Sequence, residues 1–332
     1  MDTIAAQHAD VMRAFGIDLD GVESLYAHSP VYRVRWQDQD AVLKRSRPAL
    51  PDAEAIARWL THLAGRDVRV VTPLDGPRSL TEPDGTSTCW VFYPFVDGIP
   101  YQRTLAQISA AGDLLGRIHA TGKKIDHGLP LRPRLDPLDA DEVAAAFDAL
   151  VAALSRYAPD LIDEALRRQE VGAAYYLKQA APNLRVMDLP LANATWDYKI
   201  ANLIYVTEDS PVLVDADSGA RLPRVLDLAI AALLLHNDAA DSALSRQEWL
   251  AFFAAYSQHV TLKPEERAVW PDVLLAAWMD EALWLLAADS GGWRQPRQSS
   301  YLRDLLRLDL GRYALPPDET GTGKAKKKKK KA

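Results

Sequence analysis

Residues 196–206 read WDYKIANLIYV, and residues 214–219 read VDADSG. Asp197, Lys199 and Asn202 crowd into six residues, an apolar run follows, and two more carboxylates, Asp215 and Asp217, stand just past a second such run. The intervening TEDSP (207–211) is turn chemistry, so the stretch predicts a strand-turn-strand hairpin that returns Asp215 to the neighbourhood of Asp197 and Asn202.

Working outward, the N-terminal side changes period. VYRVRW (31–36) alternates, QDQD turns, and AVLKRS (41–46) forms a second strand, which together predict an antiparallel hairpin. LPDAEAIARWLTHLAG (50–65) places Pro51 and Asp52 at a helix start, Ile56, Leu60 and Leu63 on one face, and Gly65 at the stop. Two further strands are expected in VRVVTPL (68–74) and TCWVFYPF (88–95). Residues 1–23 carry helical spacing, as do 104–122, ending at Gly122, then 139–181 and most of 227–312. The pattern predicts an α+β protein: a small lobe of sheet plus helix (1–95), a connector (96–103), a large helical lobe (104–316) and a basic tail (317–332).

The 332 residues suffice for two lobes. The longest apolar run, Leu228–Leu235, is far short of the ~18 residues of a membrane span. No signal-like N-terminus is seen, so a cytoplasmic location without a membrane partner is expected. The last nine residues hold seven lysines, and removing those seven charges from the net −6 leaves −13. So acidic a body makes a poor nucleic-acid surface. The single cysteine, Cys89, excludes an internal disulfide, and the seven histidines lack the paired helical spacing of a zinc site.

Phosphoryl transfer asks for a cation on the phosphates, a divalent metal held by hard oxygens, and a carboxylate to orient the attacking hydroxyl. Those parts occur in chain order. Lys44 can reach phosphate oxygens and Glu54 can pair with it. Asp197 is the candidate base, Asn202 and Asp215 the candidate Mg2+ ligands, and Asp217 an additional one. The plainer role for Glu54 is a first-turn charge worth ~0.5 kcal/mol to its helix, and for Asp227 an N-cap. The tryptophans at 270, 278, 284 and 293 read as core or pocket wall, and His119 as a structural hydrogen-bonding histidine.

From about residue 24 to about 312 the chain resembles the aminoglycoside phosphotransferase and choline kinase family of the protein-kinase-like fold. The resemblance rests on Asp197 with Asn202 five positions on, the hairpin ending in Asp215-x-Asp217, DLA at 227–229, and FVDGIPY followed by LLGRIHATG. It implies a bilobal kinase-like fold and an ATP- and Mg2+-dependent O-phosphotransferase acting on a hydroxyl of a small molecule, whether antibiotic or metabolite. It also implies a connector that meets adenine through the Pro94 carbonyl and the Val96 amide. Proline keeps its C=O and lacks only N–H, so it is allowed there.

The sequence departs from the family in three places. YAHSPVYRV (26–34) offers Ser29 and Pro30 and no glycine where backbone should cover phosphate. Thr195 and Trp196 stand at the His and Gly positions of the usual HGD. Lys199 resembles the Ser/Thr branch of protein kinases, where that lysine contacts the transferred phosphoryl group. It therefore suggests a second reading, a Ser/Thr peptide kinase of lanthipeptide-type biosynthesis working with a lyase partner. A pseudokinase binding scaffold is a third.

Overall fold

The computed structural model describes residues 8–18, 22–26, 29–81, 85–121, 125–132, 136–288 and 291–317. The expected basic tail from 318 onward, the helical spacing over 1–7, Gly122, and Ala27 and His28 of the glycine-free turn lie outside the described residues. Five antiparallel strands form the first sheet: β1 (Glu23–Ser24), β2 (Val31–Trp36), β3 (Gln39–Ser46), β4 (Asp75–Thr81) and β5 (Ser87–Pro94), in the order β1-β2-β3-β5-β4. Gln37 and Asp38, with φ of 48° and 63°, make the tight turn between β2 and β3.

Strand alternation then sorts the side chains. Ala41 and Leu43 of β3, with Trp90 and Phe92 of β5, pack with Val11 and Met12 of helix α1 (Ala9–Ala14). Val91 and Tyr93 of β5 instead join Ile56, Trp59, Leu60 and Leu63 of α2 (Leu50–Ala64) in the core that continues into the second lobe. Lys44 pairs in register with Val91, and so belongs to this inward face.

One strand differs from expectation. The sheet takes the polar Asp75–Thr81 rather than the apolar 68–74. An edge strand tolerates Gly76, Pro77 and Arg78 because one side of its ladder faces outward. The buried Val68, Val70 and Val71 instead run beside the second lobe: Val71 N–H donates to the Leu213 carbonyl and Leu213 N–H to that of Arg69, both at 3.0 Å.

The connector is locked where it crosses the second lobe. Ile99 N–H donates to the Tyr205 carbonyl at 2.7 Å, and a Cβ on Gly98 would meet Ile204 Cγ2 at 2.4 Å, so only glycine fits. Beyond it lie α3 (Leu105–Ala120), α4 (Ala140–Tyr157), α5 (Ile162–Arg168), α6 (Ala181–Val186), α7 (Arg224–Leu234), α8 (Arg246–Ser257), α9 (Pro264–Ala277), α10 (Leu283–Ala287) and α11 (Pro296–Arg307). Widened π-type turns at 169–173, 176–180 and 278–282 lie between α5 and α6 and between α9 and α10. Helices α3 and α8 touch so closely that a Cβ on Gly112 would lie 2.1 Å from the Phe252 carbonyl oxygen.

Two small ribbons sit among these helices: β6 (Leu191–Ala194) with β9 (Ala220–Pro223), and β7 (Leu203–Tyr205) with β8 (Pro211–Leu213). The second is the hairpin read from the opening motif. Trp270, Trp278 and Trp293 are buried core, but Trp284 is 70% exposed and walls nothing. Among the described residues no helix is long and apolar enough to cross a membrane.

Candidate active site

The hairpin does what its sequence predicts. Val214 N–H donates to the Asn202 carbonyl at 3.0 Å, continuing the β7–β8 ladder by one step and setting Asn202 beside Asp215. Opposite them, from the first sheet, comes Lys44. Its Nζ lies 2.7 Å from Asp215 Oδ1 and 2.9 Å from Asp217 Oδ2. Burial alone would lower the lysine pKa, yet the two carboxylates overcome it and the pKa is raised. Burial likewise works against the Asp215 carboxylate, but the Lys44 ammonium holds its pKa below the ordinary value.

Glu54 is not the partner of Lys44. It occupies an exposed position of α2, between buried Ala53 and Ala55, and has no ion pair with Lys44. The physical reason is the supply of nearer carboxylates, since Asp215 and Asp217 already meet the ammonium inside the cleft. Asp217 also departs from its expected part as a metal ligand. Its side chain is 2% exposed. Both oxygens are committed to the first lobe: Oδ1 accepts from the Ser46 hydroxyl at 3.0 Å, and Oδ2 from Arg47 N–H at 3.1 Å as well as from Lys44. It braces the two lobes, a role the Asp-x-Asp pattern cannot reveal.

Asp197 is held from two sides. Lys199 Nζ lies 3.1 Å from Oδ1, and Asn202 Nδ2 donates to Oδ2 at 3.1 Å and to the Asp197 backbone carbonyl at 2.8 Å. The loop itself is pinned by Tyr198, whose hydroxyl donates to the Ala111 carbonyl of α3, and by Ile200 N–H on the Leu235 carbonyl. Beneath it lies Asp227, fully buried in the first turn of α7 rather than at its N-cap. Asp227 accepts from Trp196 N–H at 2.8 Å and Thr195 N–H at 3.3 Å, and pairs with His119 Nε2 at 2.9 Å. His119 Nδ1 in turn meets the Tyr256 hydroxyl, the structural role its sequence context suggests.

Trp196 adopts φ +53°, a left-handed backbone that glycine enters freely and a tryptophan enters at a cost of about 1–2 kcal/mol. The TWD loop therefore keeps a glycine-like backbone despite its side chain. The bond from its N–H to Asp227, the indole Nε1 donating to Glu281 Oε1 at 2.7 Å, and the Arg132 guanidinium 4.1 Å over its ring together offset that cost. The indole walls a cavity of about 470 Å³ whose lining includes Arg132, Tyr176, Asp280 and Glu281. Burial raises the Glu281 pKa, with Asp280 and Asp197 adding to it against the bond from Trp196. The Tyr176 hydroxyl, buried near the Leu138 backbone, lacks a well-formed hydrogen bond. None of these wall residues was marked by sequence spacing.

At the connector, Phe95 N–H donates to the Asp40 carbonyl at 3.3 Å, while Val96 N–H, two residues past Pro94, has no hydrogen-bond partner among the described residues. In the turn before β2, the Pro30 carbonyl accepts from Arg45 N–H. The donor set suits a hard cation at one place. Asn202 Nδ2 is spent on two oxygens of Asp197, which fixes the amide and leaves Oδ1 as its acceptor, in a residue that the β7–β8 ladder pairs with Val214 beside Asp215. Among the described residues no three His, Cys, Asp or Glu side chains converge on a metal position.

The model of the phosphotransferase enzyme family designated APH matches residues 24–270. Among solved structures, an amicoumacin kinase in complex with AMP-PNP, Ca2+ and Ami is similar over 92% of this chain and 95% of its own, at 15% identity and a TM-score of 0.63. A microcompartment-associated aminopropanol kinase aligns over 94% and 97% at 16% identity and TM-score 0.58. An aminoglycoside phosphotransferase from Alicyclobacillus acidocaldarius aligns over 87% and 92% at 13% and 0.57. No curated protein matches the chain.

Proposed function

Because the chain belongs to the phosphotransferase enzyme family, we propose that it transfers the γ-phosphoryl group of ATP to a hydroxyl of an amine-bearing small molecule, with Mg2+ as the cation. The observation that carries this reading is a juxtaposition. Asp197 is bonded to Asn202, whose strand partner Val214 adjoins the Asp215 that pairs with Lys44, while its chain neighbour Trp196 walls the cavity with Glu281.

In this reading Lys44 exchanges a carboxylate oxygen for phosphate oxygens, and Asn202 Oδ1 and Asp215 hold the metal, whose chemistry is to neutralise charge on the phosphates. Asp197 orients the acceptor hydroxyl and takes its proton, while Lys199 remains close enough to meet the moving phosphoryl group. The Pro94 carbonyl and the unpartnered Val96 amide receive adenine. A cavity of about 470 Å³ suits a small molecule better than a peptide, and the carboxylates of Asp280 and Glu281 favour a cation in it. The names of two structural neighbours, an aminopropanol kinase and an aminoglycoside phosphotransferase, denote amine-bearing acceptors, in keeping with that preference.

The test has two parts. ATP should raise the unfolding temperature only when Mg2+ is present. Amino alcohols and aminoglycosides should then be screened for gain of one phosphoryl group by mass. Absence of the Mg2+-dependent shift removes the nucleotide reading, and phosphorylation confined to amine-free alcohols or to Ser/Thr peptides removes the acceptor reading.

A further inference from the structure

Away from the cleft, two imidazoles face each other across the lobes. His62 lies in the last turn of α2, and His127 lies in the segment 125–132 of the second lobe. Their ring centres are 4.8 Å apart at 47°. Six buried side-chain nitrogen or oxygen atoms lack a hydrogen-bond partner among the described residues, and two of them are the Nε2 atoms of this one pair. Buried polar atoms in native proteins are nearly always satisfied, so two adjacent orphans call for a shared occupant.

The surroundings hold the backbone of the His127 segment in place. Arg58, one turn before His62 on α2, donates from Nη2 to the His127 carbonyl at 3.2 Å, and Asp126 Oδ1 accepts from Gly128 N–H at 2.8 Å. Beyond them the segment is stitched to β9, with Arg132 N–H on the Arg221 carbonyl and Arg221 N–H on that of Pro130. The groups that face His127 are His62, Asp126, Arg58 and Arg221. Burial and His62 first, then the two arginines, lower its pKa against the opposing pull of Asp126.

We propose that His62 and His127 bind one divalent transition-metal ion through their Nε2 atoms, clasping α2 to the second lobe. Two imidazoles bound cis to one ion at about 2.0–2.1 Å place their ring centres roughly 5 Å apart, which the observed spacing matches. Imidazole nitrogen selects zinc, copper or nickel over magnesium, so this position is chemically separate from the oxygen donors of Asn202 and Asp215. With two protein ligands, the remaining coordination positions would fall to water.

Zn2+ in excess Mg2+ is the probe, applied to the full chain without an affinity tag. Equilibrium dialysis should retain one additional Zn2+ per chain over the His62→Gln, His127→Gln double variant, and thermal unfolding should shift upward with Zn2+ only in the wild type. Each single Gln variant should lose both effects while unfolding near the wild-type temperature in the absence of zinc. His62→Cys should restore retention, because a thiolate also ligates zinc and a merely structural histidine would not be rescued; Cys89, buried with its thiol pushed up to about 11, contributes no background. Equal zinc retention in wild type and double variant overturns the proposal and leaves a bridging water between the rings. So does rescue failure in a His62→Cys protein that still unfolds cooperatively.

Discussion

The two sides of Asp197 are built in opposite ways. On the phosphate side, Asp197, Lys199, Asn202, Asp215 and Asp217 fall within 21 residues, and a single hairpin brings them together, with only Lys44 arriving from elsewhere. On the acceptor side, Arg132, Tyr176, Trp196, Asp280 and Glu281 come from four separated segments. A compact motif fixes chemistry that does not vary with the acceptor. A wall assembled from distant helices can change one residue at a time without disturbing that chemistry.

The largest effect should come from the residue between the two sides. Asp197→Ala removes the group proposed to orient and deprotonate the acceptor, so kcat should fall by about 10²–10⁴, with the Mg2+-dependent ATP shift nearly intact. Steady-state rates and thermal shifts on the same preparation check it, and unchanged turnover would remove Asp197 from the mechanism.

Next in size is the contrast between two neighbouring carboxylates. Asp217→Ala strands the Ser46 hydroxyl and Arg47 N–H and leaves Lys44 with Asp215 alone, and should cost about 2–3 kcal/mol of stability while Mg2+ dependence survives. Asp215→Ala should cost less in stability, because besides Lys44 only the neighbouring Asp217 N–H donates to it, and should abolish Mg2+ dependence. Thermal denaturation with and without Mg·ATP separates them. If the two variants behave alike, brace and ligand have not been divided between these carboxylates.

The uneven construction also explains what could be read in advance. The hairpin was legible because spacing along one strand pair becomes spacing in space, and Lys44 because strand alternation fixes its face. Glu54 misled, since helical position alone does not say which carboxylate lies nearest a buried lysine, and Lys44 found Asp215 and Asp217 instead. The apolar 68–74 misled for a related reason: valines mark burial, and here burial means the second lobe rather than the first sheet. The acceptor wall left no trace because its carboxylates lie on helices whose periodicity reports only which face is inward.

Trp196 joins the two regions, and replacing it sharpens the contrast. Trp196→Gly relieves the left-handed backbone while deleting the indole that meets Arg132 and Glu281. The backbone N–H bond to Asp227 remains available, so the loop should hold and the KM for ATP should stay within about twofold. The acceptor KM should rise about tenfold, or the acceptor range broaden toward bulkier molecules, as one cavity wall is lost. A parallel rise in both KM values would mean that the indole supports the phosphate side as well.

The smallest expected effect is electrostatic and lies wholly on the acceptor side. Burial raises the Glu281 pKa above 4.5, so in the folded state its proton is held more tightly than in the unfolded chain. That contribution to stability is fully present below the unfolded value and is lost as pH rises through the folded one. Glu281→Gln has no such loss, and its amide oxygen can still accept from the Trp196 indole. The unfolding temperature of the variant minus that of wild type should therefore grow as pH rises above the ordinary carboxylate value, by a few degrees at most. Glu248, whose pKa burial would raise but the bonds from Arg103 and Ser245 hold down to about 2, loses its stabilising contribution as pH falls, but equally in both proteins, so it cancels from the difference. An acceptor cation bound at Glu281 reverses the sign, since it stabilises the carboxylate and not the amide. With a true amine-bearing acceptor present, wild type should gain on the variant as pH rises, and a difference that ignores the acceptor would place its amine elsewhere in the cavity.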